Sequence, residues 1–477
     1  MRRFLRHVLV LFAGFPALLG AQGFGIYEQG TCAMGRAGTG VAAPCGDGSA
    51  IFFNPAGLAG LKGGHATIGV TLLDVQGGFT DDIFQQTTKL DDPLLAIPQV
   101  YVAYGLTPKL GVGIGLFAPY GLETRWPLSF DGRFAGYKNM LRSVYVQPTL
   151  SYQVTPWLSL GGGFDIVRGE VELNQRLDLA DAPVPIAGVP PGIIFGQFGI
   201  APGTDFANTH LEASKTTVAA HFGAILKAND QLSFGARFLT QAKFDYSGTA
   251  SFTQVMTGLS VPADIVVTPT DTIHAGTPID GLLGAPAALG GLDLFNPSTG
   301  VFRSQPVTTT IRNPAMLTLG VAYKVANGWT VLGDYQLTWW NSFDELDITF
   351  PQDASGLLSR KLFERYDNTS GFRLGAEWEK DAKWTFRGGY LYHEGAAPAE
   401  TVTPLLPEGS RNEFTGGFTV KLSPGFSADV AYQYIKQNDR RGRTREPLFN
   451  QAPTTLLNHG VYDFHAHLFG VSLGYAF

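Results

Sequence analysis

The chain has 477 residues, with 34 basic against 40 acidic side chains and a net charge of −6, so it lacks the basic face that a nucleic-acid partner demands. It carries 60 Gly, 34 Phe, 17 Tyr and 7 Trp with only 16% charged residues, and after residue 21 no apolar run reaches the ~18 residues of a spanning helix. Transmembrane helices are excluded, and the length then reads either as several soluble domains or as one large β-barrel.

Residues 1–21 read as a secretory signal peptide: Arg2, Arg3 and Arg6 form the charged region, Val8 to Leu19 the apolar stretch, and Gly20-Ala21 the small-residue exit, with the cut placed to within a residue or two. The segment that follows, 22–62, does not alternate and is dense in Gly, Ala and Pro, so it folds tightly only against a scaffold. It holds both cysteines, Cys32 and Cys45, too few for a disulfide framework. An oxidising compartment favours a bridge between them; two buried small thiols are the alternative.

From residue 63 onward the signal is alternation with period two, which places successive side chains on opposite faces of a sheet. Between Gln231 and Ser247 the even positions, Leu232, Phe234, Ala236, Phe238, Ala242, Phe244 and Tyr246, form an oily face, and the odd positions a wet one carrying Arg237 and Lys243. The same split recurs at 372–378, with Arg373 on the wet side, at 384–393 and at 426–434. Several runs hold for about ten residues, longer than strands of a soluble sandwich and enough to cross a bilayer when tilted. Tight turns at Thr107-Pro108, Thr155-Pro156, Ala228-Asn229-Asp230, Ala326-Asn327-Gly328, Lys380-Asp381-Ala382 and Ser423-Pro424-Gly425 join twelve strands, and flanking strands near His65–Phe79 and Asp463–Phe477 bring the count to fourteen. Long connections alternate with these turns, the largest at 173–213 and 249–307. Short turns on one side and long loops on the other predict an all-β transmembrane protein, a fourteen-stranded antiparallel outer-membrane barrel over 63–477 with its short turns in the periplasm. The inward face of the last strand, Gly470, Ser472, Gly474 and Ala476, is nearly bare and leaves room for a filling. The barrel lumen is the natural place for 22–62.

Gly23-Phe24, Gly35-Arg36-Ala37, Asn54-Pro55-Ala56, Tyr120-Gly121-Leu122-Glu123-Thr124 after the third strand, and the run from Ala236-Arg237 to Gly248 follow one another in an order and spacing of their own. In these pieces the sequence resembles the FadL family of outer-membrane transporters for long-chain fatty acids and related hydrophobic compounds, which includes aromatic-hydrocarbon transporters. The resemblance covers essentially the whole mature chain and rests on the order and spacing of these pieces. It implies that the N-terminal segment, with Phe24, Gly35, Arg36, Asn54, Pro55 and Ala56, is a hatch plugging the barrel. It also implies that ligand leaves sideways beside a kink in the third strand. That strand here is Leu110 to Phe117, with inward Gly111, Gly113 and Gly115 as the lateral opening; glycines making space for the hatch are the alternative. A cysteine pair in the hatch departs from the family pattern. The terminal Phe477 resembles the signal read by the barrel-assembly machinery.

An amphipathic acid needs an apolar groove and a cation, so the ligand-binding candidates are Arg237, Lys243 and Arg373 from the wet faces, with Arg387 and Lys421 beside them. Arg168 lies where the family places a binding arginine, although parity puts it with Phe164 and Ile166 on the oily face. Ion pairing to inward Asp165, Asp334, Glu377 and Asp429 is the competing use of these cations. Apolar loop residues Ile193, Ile194, Phe195, Phe198, Leu282, Leu283 and Leu292 are expected to form an outer collecting groove. The reading is passive uptake of hydrophobic compounds, most simply long-chain fatty acids, with lateral release; aromatic or aliphatic hydrocarbons by the same route are the alternative, and an open general porin the lesser one. The expected partners are the ligand, outer-membrane lipid and, during biogenesis, the assembly machinery, for a monomer without cofactor or metal. His465 and His467 have no nucleophile elbow or third ligand beside them, so neither an enzyme nor a metal site is expected.

Overall fold

The computed structural model describes residues 23–91, 94–178, 180–183, 193–268, 270–285, 292–353, 356–447 and 451–477. The expected signal peptide lies outside them. Eighteen hydrogen-bonded segments form one sheet. Two strands each run in two pieces and two three-residue segments only extend loop ends, which leaves fourteen strands. In chain order these are β1 (Gly64–Asp81), β2 (Leu95–Gly105), β3 (Leu110–Arg125), β4 (Lys138–Thr155), β5 (Leu158–Leu177), β6 (Ala207–Lys227) and β7 (Leu232–Leu239 with Ala242–Gln254). They continue as β8 (Gln305–Asn313 with Met316–Lys324), β9 (Trp329–Thr338), β10 (Thr369–Glu379), β11 (Trp384–His393), β12 (Arg411–Ser423), β13 (Phe426–Gln437) and β14 (Gly460–Ala476). Antiparallel pairing of β1 with β14, from His65↔Ala476 to Asp81↔Gly460, closes the ring. A closed ring leaves no unpaired edge, which is the condition for crossing hydrocarbon with strands. Among the described residues no helix is long and apolar enough to span.

All six tight turns join neighbouring strands as expected. The outward face carries exposed Ile68, Val102, Ile114, Leu150, Phe164, Phe222, Phe234, Leu319, Leu374 and Leu473, an apolar belt suited to lipid. The loops predicted at 173–213 and 249–307 are shorter than expected, because β5 reaches Leu177, β6 begins at Ala207, and β7 and β8 run to Gln254 and from Gln305. Polar alternation beyond the membrane hid these strand ends. The apolar loop residues form no open groove either: Phe195, Leu282 and Leu283 are buried, with Ile193 and Leu292 packed against them, in a separate core of the loops. The side chain of Phe198 lies outside the described residues.

A second correction concerns β7. Its alternation reads as continuous in the sequence, yet the strand breaks at Thr240-Gln241. Before the break the odd positions Arg237 and Leu239 are buried; after it the even positions Ala242, Phe244 and Tyr246 are. A one-residue irregularity exchanges the two faces of every residue beyond it. Lys243 therefore faces outward, paired with Asp245 at 3.0 Å, and not into the lumen.

Residues 23–62 touch strands on every side of the ring. Arg36 reaches Glu377 of β10 at 3.3 Å, Gly40 N–H donates to Asp334 of β9 at 2.9 Å, and Ser151 Oγ of β4 donates to the Ala56 carbonyl at 3.1 Å. Glu28 accepts from Gln433 of β13 at 2.8 Å. A chain bonded to opposite walls of a ring occupies its interior.

Candidate functional site

The interior segment is built from short pieces. They are a helical turn Thr31–Met34, a second at Ala50–Phe53 and a 3-10 turn Pro55–Leu58, and the Cys32–Cys45 disulfide ties the first turn to the connection that leads into the second. Asn54 accounts for the Asn-Pro-Ala motif: its Oδ1 accepts from Ala56 N–H at 3.1 Å, and its Nδ2 donates to Val41 O at 2.7 Å and Ala224 O at 3.0 Å. One amide side chain thus caps the 3-10 turn, with Pro55 at its first position, and ties it to β6. Gly35 lies against Gly417 of β12, where an added Cβ would stand 3.2 Å from the Gly417 Cα. Arg36 and Arg387 share Glu377, the second at 2.6 Å.

Gly111, Gly113 and Gly115 line the lumen under this segment. A Cβ on Gly113 would meet Ile51 Cδ1 at 2.7 Å and one on Gly115 would meet Tyr101 and Ile51 at 3.0 Å, while at Gly111 it would strike the Leu58 carbonyl. These glycines make space for the segment. The break in the wall comes just above them. Ladder pairing of β2 with β3 ends at Val100↔Leu116, although β2 continues to Leu95 along β1 and β3 continues to Arg125 along β4. Between Phe117 and Tyr120 the register of β3 against β4 shifts, and the residues bulged out are Ala118 and Pro119. Proline has no N–H to orphan, which is why a strand tolerates it at a bulge. The sequence signal for the split was Pro119, overlooked beside the glycines.

The start of the interior segment lies along the freed edge. Ile26 N–H donates to Pro119 O at 2.8 Å and Gly121 N–H to Phe24 O at 2.9 Å. The Gln29 side chain pairs both ways with Ala118, donating to its carbonyl at 2.9 Å and accepting from its N–H at 3.0 Å. Phe24 packs edge-on against Trp340 at 4.8 Å and Phe343 at 5.4 Å. Gly23 N–H donates to Glu408 at 2.9 Å, in the loop before β12. Burial pushes the Glu408 carboxyl above its ordinary range, against the pull of the Gly23 and Ala397 N–H groups.

A cavity of about 690 Å³ opens at this split. Its inner wall includes Phe24, Tyr120, Leu406 and Phe464 and its outer wall Leu116, Val144, Arg142 and Arg168, so it passes through the barrel wall. The volume lies within the roughly 300–1,000 Å³ of small-molecule sites, and the lining is mainly apolar. Arg411, at the start of β12, faces this cavity, and its nearest carboxylate, Glu413, is 3.9 Å away. Sequence reasoning missed Arg411 because it stands at a loop end; its parity with Glu413 was the available signal.

The other predicted cations separate. Arg237 is 3% exposed, stacks over Phe52 at 4.1 Å and touches Met316 Sδ at 3.3 Å, while its Nε and Nη2 contact no hydrogen-bond acceptor among the described residues. Phe52 packs in turn on Phe117 of the cavity wall at 5.0 Å. Arg373 is committed to Gln336 at 2.7 Å and lies over Tyr27. Arg168 is on the outer face, bonded to Ser214 at 2.5 Å.

The family described as outer membrane protein transport protein (OMPP1/FadL/TodX) matches residues 14–477 of this chain. Outer membrane protein P1 of Haemophilus influenzae is 22% identical over 96% of this chain and 95% of its own. The long-chain fatty acid transport protein of Salmonella typhi is 22% identical over 95% of this chain and 94% of its own. Among solved structures, a Pseudomonas aeruginosa FadL homologue superposes with a TM-score of 0.74 at 18% identity, covering 96% of this chain and all 100% of that one. The P. putida toluene transporter TodX gives 0.64 at 16% identity, covering 96% and 99%.

Proposed function

We propose, from the premise that this chain belongs to the OMPP1/FadL/TodX family of outer membrane transport proteins, that it takes up long-chain fatty acids and releases them sideways through the β2–β3 split. The observation that carries this reading is the through-wall cavity of about 690 Å³ with a weakly paired cation, Arg411, on its inner side and a mainly apolar lining. The acyl chain lies along the apolar wall, and the carboxylate meets Arg411 first. Arg237, a buried guanidinium with two bare donors one ring behind Phe117, receives it deeper in the barrel. A buried cation without an anion is costly, so an acid ligand completes the site. Residues 23–62 act as the hatch: their side-chain network excludes a water column, and the stretch at 23–26 yields at the split to let ligand pass.

Uptake of monoaromatic hydrocarbons is the second reading, favoured by the Phe24, Tyr120 and Trp340 ring cluster at the cavity and by the toluene transporter among the structural neighbours. Binding of oleate and of toluene to Arg411→Ala and Arg237→Ala separates the two. A charge-assisted hydrogen bond is worth ~1.5–3 kcal/mol, so oleate affinity falls roughly tenfold or more if the acid reading holds. Oleate binding unchanged in both variants, with toluene bound tightly, overturns it in favour of hydrocarbons.

A further inference from the structure

We propose that the outward face of β4–β8 holds the phosphate groups of a bisphosphorylated glycolipid of the outer leaflet, through Arg142, Arg168, Lys243 and Arg312. This rests on the outer-face geometry and not on the transported substrate. Each of the four stands about ten to thirteen residues from the periplasmic end of its strand. A tilted strand uses roughly 9–11 residues to cross the hydrocarbon, so these side chains emerge at the outer headgroup level. Directly beneath them the same face exposes Leu150, Phe164, Ile166, Val218, Phe222 and Phe234. The cations therefore crown a lipid-facing wall.

Their own carboxylates do not neutralise them. Arg142 and Arg168 share Glu170, at 2.5 and 3.8 Å. Lys243 and Arg312 are direct cross-strand partners, an opposition of like charges that costs energy on its own, and among the described residues Asp245 is the carboxylate beside them, bonded to Lys243 and to Thr310. Glu212, exposed on β6 beside His210 at 3.7 Å, is the third carboxylate against these four cations. A chain whose net charge is −6 thus gathers a positive surplus on one membrane-level face. On the other half of the ring, β9, β10 and β11 are only 10 or 11 residues long, and Lys436 of β13 is paired with Asp463 at 2.5 Å. Arginine forks and a lysine point spread over adjacent strands suit phosphates, and at the membrane surface the source of phosphate is a lipid headgroup.

The test is binding of purified bisphosphorylated lipid A to the folded, detergent-purified full-length protein, followed by native mass spectrometry. The expected result is retention by the unaltered protein and at least tenfold weaker binding by R168Q/K243Q/R312Q, with dephosphorylated lipid A binding both proteins equally weakly. The smaller variant K243Q/R312Q, which removes opposed like charges and so spares folding, is expected to lose affinity in the same direction, and K243R to retain it. Equal binding to the unaltered protein and both glutamine variants overturns the proposal. So does dephosphorylated lipid bound as tightly as the phosphorylated form, or inorganic phosphate alone bound as tightly as the lipid.

Discussion

Two irregularities of this barrel, one in β3 and one in β7, are repaired differently. In β3 the bulge at Ala118-Pro119 separates the strand from β2, and the freed edge is patched by another part of the chain: the backbone of Phe24 and Ile26 and the side chain of Gln29. In β7 the break at Thr240-Gln241 is repaired from within. Thr240 Oγ1 accepts from Ala220 N–H at 2.8 Å, its own N–H donates to Ala220 O at 2.9 Å, and Phe244 and Tyr246 turn inward to stack on each other beside Gly169. A patch made by a separate segment can leave without unravelling the wall, whereas one made by the strand's own residues cannot. The first irregularity is therefore suited to opening and the second to permanent closure.

The comparison is sharpened first by filling the split. Ala118→Trp is expected to cut uptake of the transported compound at least tenfold while the heat-modifiable folded form is kept, measured by whole-cell uptake against a folded-fraction gel; uptake at the original rate would remove the split from the route. Next is the body of the interior segment. Arg36→Ala leaves Glu377 with Arg387 alone and breaks a buried ion network, expected to cost ~3–5 kcal/mol and to raise single-channel conductance in planar bilayers. Conductance as low as in the unaltered protein would mean that the network does not hold the plug. Gly113→Leu collides with Ile51 and is expected to destabilise by ~1–3 kcal/mol through overpacking, read from a denaturant midpoint. Gln29→Leu strips two bonds from Ala118 and is expected to cost ~1–3 kcal/mol locally, seen as faster hydrogen exchange at 118–121. The smallest effect belongs to the self-repaired strand: Thr240→Val loses one side-chain bond, ~1 kcal/mol, with uptake unchanged, and a matching loss of uptake would show that both irregularities serve transport.

Period-two alternation determined the fourteen strands, their six short turns and the outer-membrane barrel, because a strand half in lipid and half in a lumen writes its two environments into alternate residues. The bare inner face of Gly470, Ser472 and Gly474 likewise signalled that something fills the barrel. Alternation cannot report a change of its own phase. The slip at Thr240-Gln241 left the pattern of residue types nearly intact while moving Lys243 from the lumen to the outside, and only pairing with β6 and β8 shows it. Cations fared similarly. Arg237, Arg373 and Arg387 all read as inward, yet which of them lacks a carboxylate depends on where Asp334, Glu377 and Asp429 end up across the ring, a matter of register between strands distant in sequence. Arg411 and the Ala118-Pro119 split depend on the same thing. A cavity is the space left between segments, here 23–26, β2, β3 and the loop before β12, and no one of those segments carries its shape alone.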